Sequence, residues 1–294
     1  MPPWKYGTPG CPCCGPCDSG RLCLTVTNNG CATNGPVHNA EVTWTDSDGD
    51  VVGTCKTNGA SPSTCCIDLP VAGTYSVSVK AAGATPRTSS INALCGQDNT
   101  ATVSFPSNSL GMLCFALTNC GAGVSGVDVT VSKSGEPTAT GTTDSSGNAC
   151  ISLGAGSGYT YSATYGDATA SGPVTIFGCG TANRSLSVVT DYYFRVTANN
   201  DPRNNGCLGT FTLYRGSSNT DPVIFTQSVT LSTFDGTGWV SPVYHQSFSA
   251  LAAGITVMAE LVFPSGTGSV TFFLSCSGPS APDNYGGYSG VLCP

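Results

Sequence analysis

The fold is decided by Cys114-Phe-Ala-Leu-Thr-Asn-Cys120 and the three segments that follow it. These are Gly126-Val-Asp-Val-Thr-Val131, Thr143-Asp-Ser-Ser-Gly-Asn-Ala-Cys-Ile-Ser-Leu153 and Tyr159-Thr-Tyr-Ser-Ala-Thr164. Apolar and polar residues alternate in each of them, which is typical of strands with one face on a core. Gly and Asp between them indicate tight turns.

The same order of segments occurs earlier in the chain. Leu113, Phe115 and Leu117 take the places of Leu22, Leu24 and Val26, and the cysteines follow the same order. The matched cysteines are Cys23 with Cys114, Cys31 with Cys120, Cys66 with Cys150, and Cys95 with Cys179. This agreement predicts two copies of one β-sheet module.

The composition favours an all-β protein with almost no helix. Only 9% of the 294 residues are charged, and there are 38 glycines and 19 prolines. Long amphipathic helices need charged faces, whereas short strands joined by turns do not. The length fits two or three domains.

The charge and hydropathy of the chain limit its partners and location. A net charge of -7 disfavours nucleic acid, and no apolar run is long enough for a membrane span. Seventeen cysteines indicate maturation under oxidising conditions, and we expect an extracellular or virion location. The first residues lack a signal-peptide core, so either a leader has been removed or the protein leaves its cell without one.

The repeated segments resemble the carboxypeptidase regulatory-like and collagen-adhesin B-type domains, which share the prealbumin-like (transthyretin-like) sandwich. The resemblance covers roughly residues 20–189 and rests on Gly126–Val131, the turn Thr143–Gly147 and Gly158–Ala163. It implies a fold and no ligand. The Lys–Asn isopeptide bond of some collagen-adhesin repeats is not expected, because neither first strand carries a lysine.

The resemblance also implies a disulfide pattern. In a prealbumin-like sandwich the first and last strands are parallel neighbours, which favours Cys23–Cys95 and Cys114–Cys179. The fourth strand lies antiparallel to the first, which favours Cys31–Cys66 and Cys120–Cys150.

The positions of the remaining cysteines suggest how they pair. Cys55 and Cys65 bracket an insertion in the first repeat and could close that loop, and Cys207 is paired with Cys276 as the two cysteines of the last domain. The unassigned thiols, which we expect to link chains, are Cys11, Cys13, Cys14, Cys17 and Cys293. The odd total leaves one thiol that is free, joins its own copy, or bonds another protein.

These patterns predict three β-domains and two tails. The third domain, which resembles no family known to us, is expected to be a jelly-roll-like sandwich. The predicted segments are an N-terminal Cys/Pro/Gly-rich tail 1–17, repeats 18–106 and 107–189, a third sandwich 190–278 and a C-terminal tail 279–294.

Metal sites are the weaker interpretation of two patterns, and we expect neither a metal nor a cofactor. Cys11, Cys14 and Cys17 have zinc-ligand spacing, but a disulfide is favoured. Asp46, Asp48 and Asp50 resemble part of a calcium loop, but a polar turn between strands is favoured.

Catalytic residues are poorly supplied. His38 and His245 are the two histidines, glutamate occurs only at positions 41, 136 and 260, and no nucleophile-elbow motif is present. We therefore expect no enzyme. Trp239, in a Gly-rich loop, is the best candidate for stacking on a glycan.

Together these observations predict a non-enzymatic structural subunit of an ordered extracellular or virion assembly, such as a filament, fibre or surface decoration. Its partners would be copies of itself and other particle proteins, in contact through the tails and the third domain. The alternative is a secreted or cell-surface adhesin that binds glycan through the third domain.

Overall fold

The structure is a computed structural model, and it describes residues 20–29, 31, 36–60, 62–278, 280–288 and 292. The cysteines at positions 11, 13, 14, 17 and 293 lie outside these residues. The described chain is built from β-strands, with a single short 3₁₀ helix at Pro202–Asn204 among the described residues. The predicted all-β class is confirmed.

The first sandwich contains seven strands in two sheets. They are β1 Arg21–Asn28, β2 His38–Thr45, β3 Val51–Asn58, β4 Ser63–Asp68, β5 Gly73–Lys80, β6 Arg87–Ala93 and β7 Asp98–Phe105. One sheet has the order β4-β1-β7 and the other β3-β2-β5-β6. β1 runs parallel to β7 and antiparallel to β4, as the family resemblance implies.

The second sandwich repeats this arrangement. Its strands are β8 Leu110–Asn119, β9 Ala122–Gly123, β10 Asp128–Lys133, β11 Ala139–Thr142, β12 Asn148–Gly154, β13 Gly156–Tyr165, β14 Ala168–Ile176 and β15 Thr181–Ala198. One sheet contains β12-β8-β15 and the other has the order β11-β10-β13-β14. These orders match those of the first sandwich strand for strand, so the tandem sandwiches predicted from the repeat are confirmed.

The alternation in each strand produces the cores. In β1 the side chains of Leu22, Leu24 and Val26 are buried, and across the sandwich they meet Trp44 and Tyr75. In β8 the corresponding residues Leu113, Phe115 and Leu117 are buried. Fully burying one such side chain contributes about 1.5–3 kcal/mol.

The chain divides into two compact units. One contains most of residues 20–185 and therefore both repeats, and the other contains residues 186–292 with residues 117–124 and 164–169. β15 is continuous through the boundary, so its first residues belong to the first unit and the rest to the second.

Within the first unit the two repeats contact each other directly. The Gly154 amide donates to the Ala82 carbonyl at 2.8 Å, and Ala82 forms a parallel bridge with Leu153. A side chain at Gly154 would place its Cβ 2.0 Å from the Gly83 carbonyl oxygen, so this backbone approach requires glycine. The two repeats therefore pack together as one compact unit.

The second unit holds the third sandwich. The remaining strands are β16 Leu208–Tyr214, β17 Val223–Thr230, β18 Thr233–Phe234, β19 Trp239–Val240, β20 Tyr244–Ala252, β21 Thr256–Phe263, β22 Gly266–Phe273 and β23 Asp283–Tyr288. One sheet has the order β17-β16-β21-β22. In the other, the second half of β15 pairs with β20 and β19 along one edge and with β23.

Two features of this unit differ from the sequence expectation. The sequence predicts separate strands at Val223–Thr226 and Ser228–Ser232, whereas one strand, β17, runs from Val223 to Thr230. Part of the expected C-terminal tail is the strand β23, which lies parallel to β15 and buries Tyr285. Its sequence, Asp283-Asn-Tyr-Gly-Gly-Tyr288, gives no period-two pattern of apolar residues, but its backbone pairs with β15.

We expect Trp44→Ala to destabilise the first unit by about 3–5 kcal/mol, because it opens a cavity at a fully buried indole. Val51→Ala, at an exposed position at the start of the neighbouring strand β3, should change stability by less than about 0.5 kcal/mol. Chemical unfolding of the two variants measures this difference. Equal losses would contradict the assigned core.

Candidate functional sites

The cysteines form the most extensive chemical feature of the described chain. Cys23 bonds Cys66, and Cys114 bonds Cys150. In each pair the two residues lie directly opposite each other on antiparallel strands, with Cα atoms 4.1 Å and 4.2 Å apart. The same staple thus occurs at the same place in both repeats.

The pairings Cys23–Cys95 and Cys31–Cys66 are wrong, and so are Cys114–Cys179 and Cys120–Cys150. The strand neighbours agree with the resemblance, but the register places Cys66 opposite Cys23 in the middle of β1. Cys31 lies beyond the end of β1, and Cys120 beyond the end of β8. Strands rise about 3.3 Å per residue, so neither can reach a mid-strand partner.

The displaced cysteines make long-range bonds instead. Cys31 bonds Cys179 across 148 residues and so joins the first repeat to the second within one unit. Cys120 bonds Cys276 across 156 residues within the second unit. Cys207–Cys276 is therefore also wrong, because Cys276 is already bonded.

Four further cysteines complete the described set. Cys55 bonds Cys65 and links β3 in one sheet to β4 in the other. Cys95 and Cys207 are also disulfide-bonded. The tail thiols, including the cysteines with zinc-ligand spacing, lie outside the described residues.

The calcium candidate is a hydrogen-bonded turn. Oδ1 of Asp46 accepts from the amides of Asp48 and Asp50 at 3.0 Å and 2.9 Å. Asp144 accepts in the same way from the amides of Ser146 and Asn148. Both carboxylates cap the turn of a Thr-Asp-Ser-x-Gly sequence, and within the described residues no three His, Cys, Asp or Glu side chains form a cluster that could hold a metal ion.

His245 belongs to a polar cluster that sequence reasoning missed. Its Nε2 lies 2.8 Å from Oδ1 of Asp191, and the Ser247 hydroxyl donates to the same oxygen at 2.6 Å. The ring of Tyr193 stacks on the imidazole with centroids 4.4 Å apart. The hydrogen bonds from Ser247, His245 and Thr190 lower the pKa of Asp191. The cross-strand register of β15 and β20, which sequence does not reveal, brings these residues together.

This cluster has the residue types of a hydrolytic triad but not its geometry. A triad needs the serine hydroxyl on the histidine and the carboxylate on the other ring nitrogen. Here the serine and one imidazole nitrogen share a single carboxylate oxygen, and Ser247 Oγ is 3.4 Å from the same Nε2. The arrangement fixes two strands to each other and does not activate a nucleophile.

Trp239 does not form an open stacking platform. It is partly buried, packs against the core of the third sandwich and lies 5.6 Å from the ring of Phe234. Its neighbours among the candidate aromatics are also engaged: Tyr192 is buried, and the Tyr244 hydroxyl accepts from the Thr230 amide. The glycan interpretation stays a prediction without a groove to support it at this residue.

A small polar cleft of about 160 Å³ lies between the two repeats of the first unit. Lys56 and Lys80 line it, and both are cross-strand partners of Glu41, which lies between them. The Lys56 ammonium also donates to the Thr140 carbonyl at 3.4 Å. The Glu41 carboxylate offsets one of the two positive charges, so these three side chains together carry a net charge of +1.

A wider groove of about 730 Å³ lies at one end of the second sandwich. Phe177, Asn183 and Arg184 line it, and Phe177 is the most exposed large hydrophobic residue of the described chain. Asn183 begins the sequence Asn183-Arg-Ser185, which has the pattern of an N-glycosylation sequon. The groove is open and holds no converging polar groups.

No family model and no curated protein matches the chain. Solved structures with some likeness include the Bacillus anthracis TIE protein, at 13% identity and TM-score 0.27, covering 92% of this chain and 50% of that chain. A shaft pilin of Lactobacillus rhamnosus GG is 11% identical, with TM-score 0.27 and coverage of 58% and 97%. The major pilin subunit of Bacillus cereus is 10% identical, with TM-score 0.25 and coverage of 92% and 98%. These TM-scores are too low to support an argument about fold or function.

Among the described residues, no helix is long and apolar enough to cross a membrane.

The disulfides should contribute unequally to stability. The loop closed by Cys31–Cys179 spans 148 residues and that of Cys55–Cys65 spans 10. Loop-closure entropy gives roughly 5 and 3 kcal/mol, respectively. We expect the double substitution Cys31→Ser/Cys179→Ser to cost about 2 kcal/mol more than Cys55→Ser/Cys65→Ser. Calorimetry of both variants checks this, and the reverse order would contradict it.

Acid should weaken the first unit before carboxylates titrate. Burial lowers the pKa of the His38 imidazole, so the unfolded chain takes up a proton that the folded chain resists. Stability is complete above the unfolded pKa of about 6.5 and falls as the pH decreases below it. We expect His38→Asn to flatten the dependence of Tm on pH between about 6.5 and 5. An unchanged slope would contradict this assignment.

Proposed function

We propose that this chain is a non-enzymatic structural subunit of an ordered extracellular or virion assembly. The observation that carries the proposal is the disulfide network. It staples each repeat across β1–β4 and β8–β12 and joins the two repeats through Cys31–Cys179. Such bonds persist in oxidising surroundings and resist unfolding, which are the requirements of a fibre, filament or surface layer.

The chemistry of the surface supports the same proposal. The His245 cluster lacks triad geometry, and the described carboxylates at Asp46 and Asp144 are committed to turns. The two repeats are rigidly joined by backbone hydrogen bonds at Ala82 and Gly154. A stiff body with few reactive groups suits a load-bearing role better than catalysis.

The proposal includes covalent contact between copies. The chain has 17 cysteines, so at least one cannot pair within the same chain. The five tail cysteines, at positions 11, 13, 14, 17 and 293, are the proposed source of that thiol. The glycan-binding adhesin remains the alternative, and Trp239 is the residue through which it would be tested.

We expect the native material to run as disulfide-linked multimers on a non-reducing gel and to collapse to the monomer of 29.7 kDa on reduction. Blocking free thiols during lysis prevents bonds from forming afterwards. Electron microscopy of the same material should show a regular array or fibre. Monomer alone in both measurements would overturn the proposal.

Trp239→Ala separates the two candidate functions. For a structural subunit, this substitution should leave any glycan-array signal unchanged, because the indole packs against the core. For an adhesin, binding should be lost while the far-UV circular dichroism stays that of the wild type. Tyr161→Ala, at a partly buried aromatic residue outside the third sandwich, is a matched control.

A further inference from the structure

The sheet β17-β16-β21-β22 of the third sandwich is unusually apolar and poor in charge. Five of the eleven exposed large hydrophobic residues of the described chain lie on its strands: Leu208, Val223, Val262, Val270 and Phe273. Its four strands carry one charged residue, Glu260. Both carboxylate oxygens of Glu260 are occupied, by the hydroxyl of Tyr214 and the amide of Asn219.

β22 is the edge strand of this sheet, and it is long and regular. All eight of its residues pair with β21 without a register shift, and no described strand pairs with its other side. An edge of this kind presents a row of backbone amides and carbonyls that can pair with another strand.

Two other edge strands, β14 and β6, carry features that oppose such pairing. Pro173 interrupts β14, and β6 begins with Arg87 directly after Pro86. Proline removes a backbone donor, and a charged side chain resists burial against a new strand. β22, with the sequence Gly-Thr-Gly-Ser-Val-Thr-Phe-Phe, has neither a proline nor a charge.

At β22, side chains on the core-facing side of the sheet are incompletely covered. Val270 is the cross-strand partner of the buried Ala259 and therefore faces the core side, yet it is 47% exposed. Phe272, two residues further on, is only partly buried. A strand added beside β22 would both continue the hydrogen bonds and cover these two side chains.

We propose that β22 pairs with β22 of a second copy of this chain, antiparallel across a two-fold axis near Thr271. This register brings Val270 of each copy opposite Phe272 of the other and joins two four-stranded sheets into one of eight strands. Each copy carries a net charge of -7, so two copies repel each other. This repulsion is smallest where the facing surfaces carry no charge. The inference rests on the proposed role as a self-associating subunit and names one contact of it.

The test is the oligomeric state of the full chain, alkylated at its free thiols and taken from a preparation that runs as monomer on a non-reducing gel, so that only non-covalent contacts are measured. Sedimentation equilibrium should show a monomer–dimer equilibrium for the wild type. Val270→Lys should weaken it about tenfold or more, because the contact would bury an unpaired ammonium group.

Thr175→Lys is the matched control. It lies at an exposed position of the edge strand β14, which already contains Pro173, and it changes the net charge by the same amount. This variant should dimerise like the wild type. Added positive charge reduces the repulsion between acidic copies, so a loss seen only in Val270→Lys reports the contact itself.

Hydrogen exchange of the unsubstituted chain gives a second measurement that no folding defect can confuse. The β22 amides should exchange more slowly as protein concentration rises, while those of β14 should not change. A wild-type monomer with concentration-independent exchange overturns the inference, and so does a Val270→Lys variant that dimerises normally. Disulfide-linked multimers on the gel together with either result would leave the subunit proposal standing and remove only the β22 contact.

Discussion

The register between the first and fourth strands of each repeat is the constraint on which the rest of the first unit depends. It places Cys23 opposite Cys66 and Cys114 opposite Cys150, so one covalent bond joins the first strand to the fourth in each repeat. The same register turns Leu22, Leu24 and Val26 towards Trp44 and Tyr75 in the core. A shift of one residue would reverse every side chain and separate the thiols.

Once those mid-strand cysteines are committed, the cysteines beyond the strand ends become available for longer connections. Cys31 reaches Cys179 in the next repeat, and Cys120 reaches Cys276 within the other unit. With the backbone contact at Ala82 and Gly154, the Cys31–Cys179 bond makes the two repeats one mechanical body. The duplicated module is therefore reinforced at two levels, inside each sandwich and between neighbouring sandwiches.

The third sandwich is stabilised differently. Its core is rich in aromatic rings, with Phe194 stacked on Phe211 at 4.0 Å and Tyr192 hydrogen-bonded to Asp283 at 2.6 Å. Burial and the neighbouring Tyr285 and Asp283 raise the pKa of Tyr192, so its hydroxyl stays a hydrogen-bond donor to β23. The sheet β17-β16-β21-β22 of this unit leaves apolar side chains and the edge strand β22 exposed. This contrast favours a division of roles in which the disulfide-linked repeats provide stiffness and the third sandwich provides the proposed contact with a second copy.

The sequence by itself determined the fold class, the two equivalent sandwiches and the buried rows of their strands, because period-two alternation and turn residues are local signals. It also determined that the cysteines outnumber what one chain can pair. Only the tertiary structure decided which cysteines meet, that Asp191, His245 and Ser247 converge, and that Asp283–Tyr288 forms the strand β23. These outcomes depend on strand register and on contacts between residues far apart in the chain. Neither can be predicted from the local pattern of apolar and polar residues.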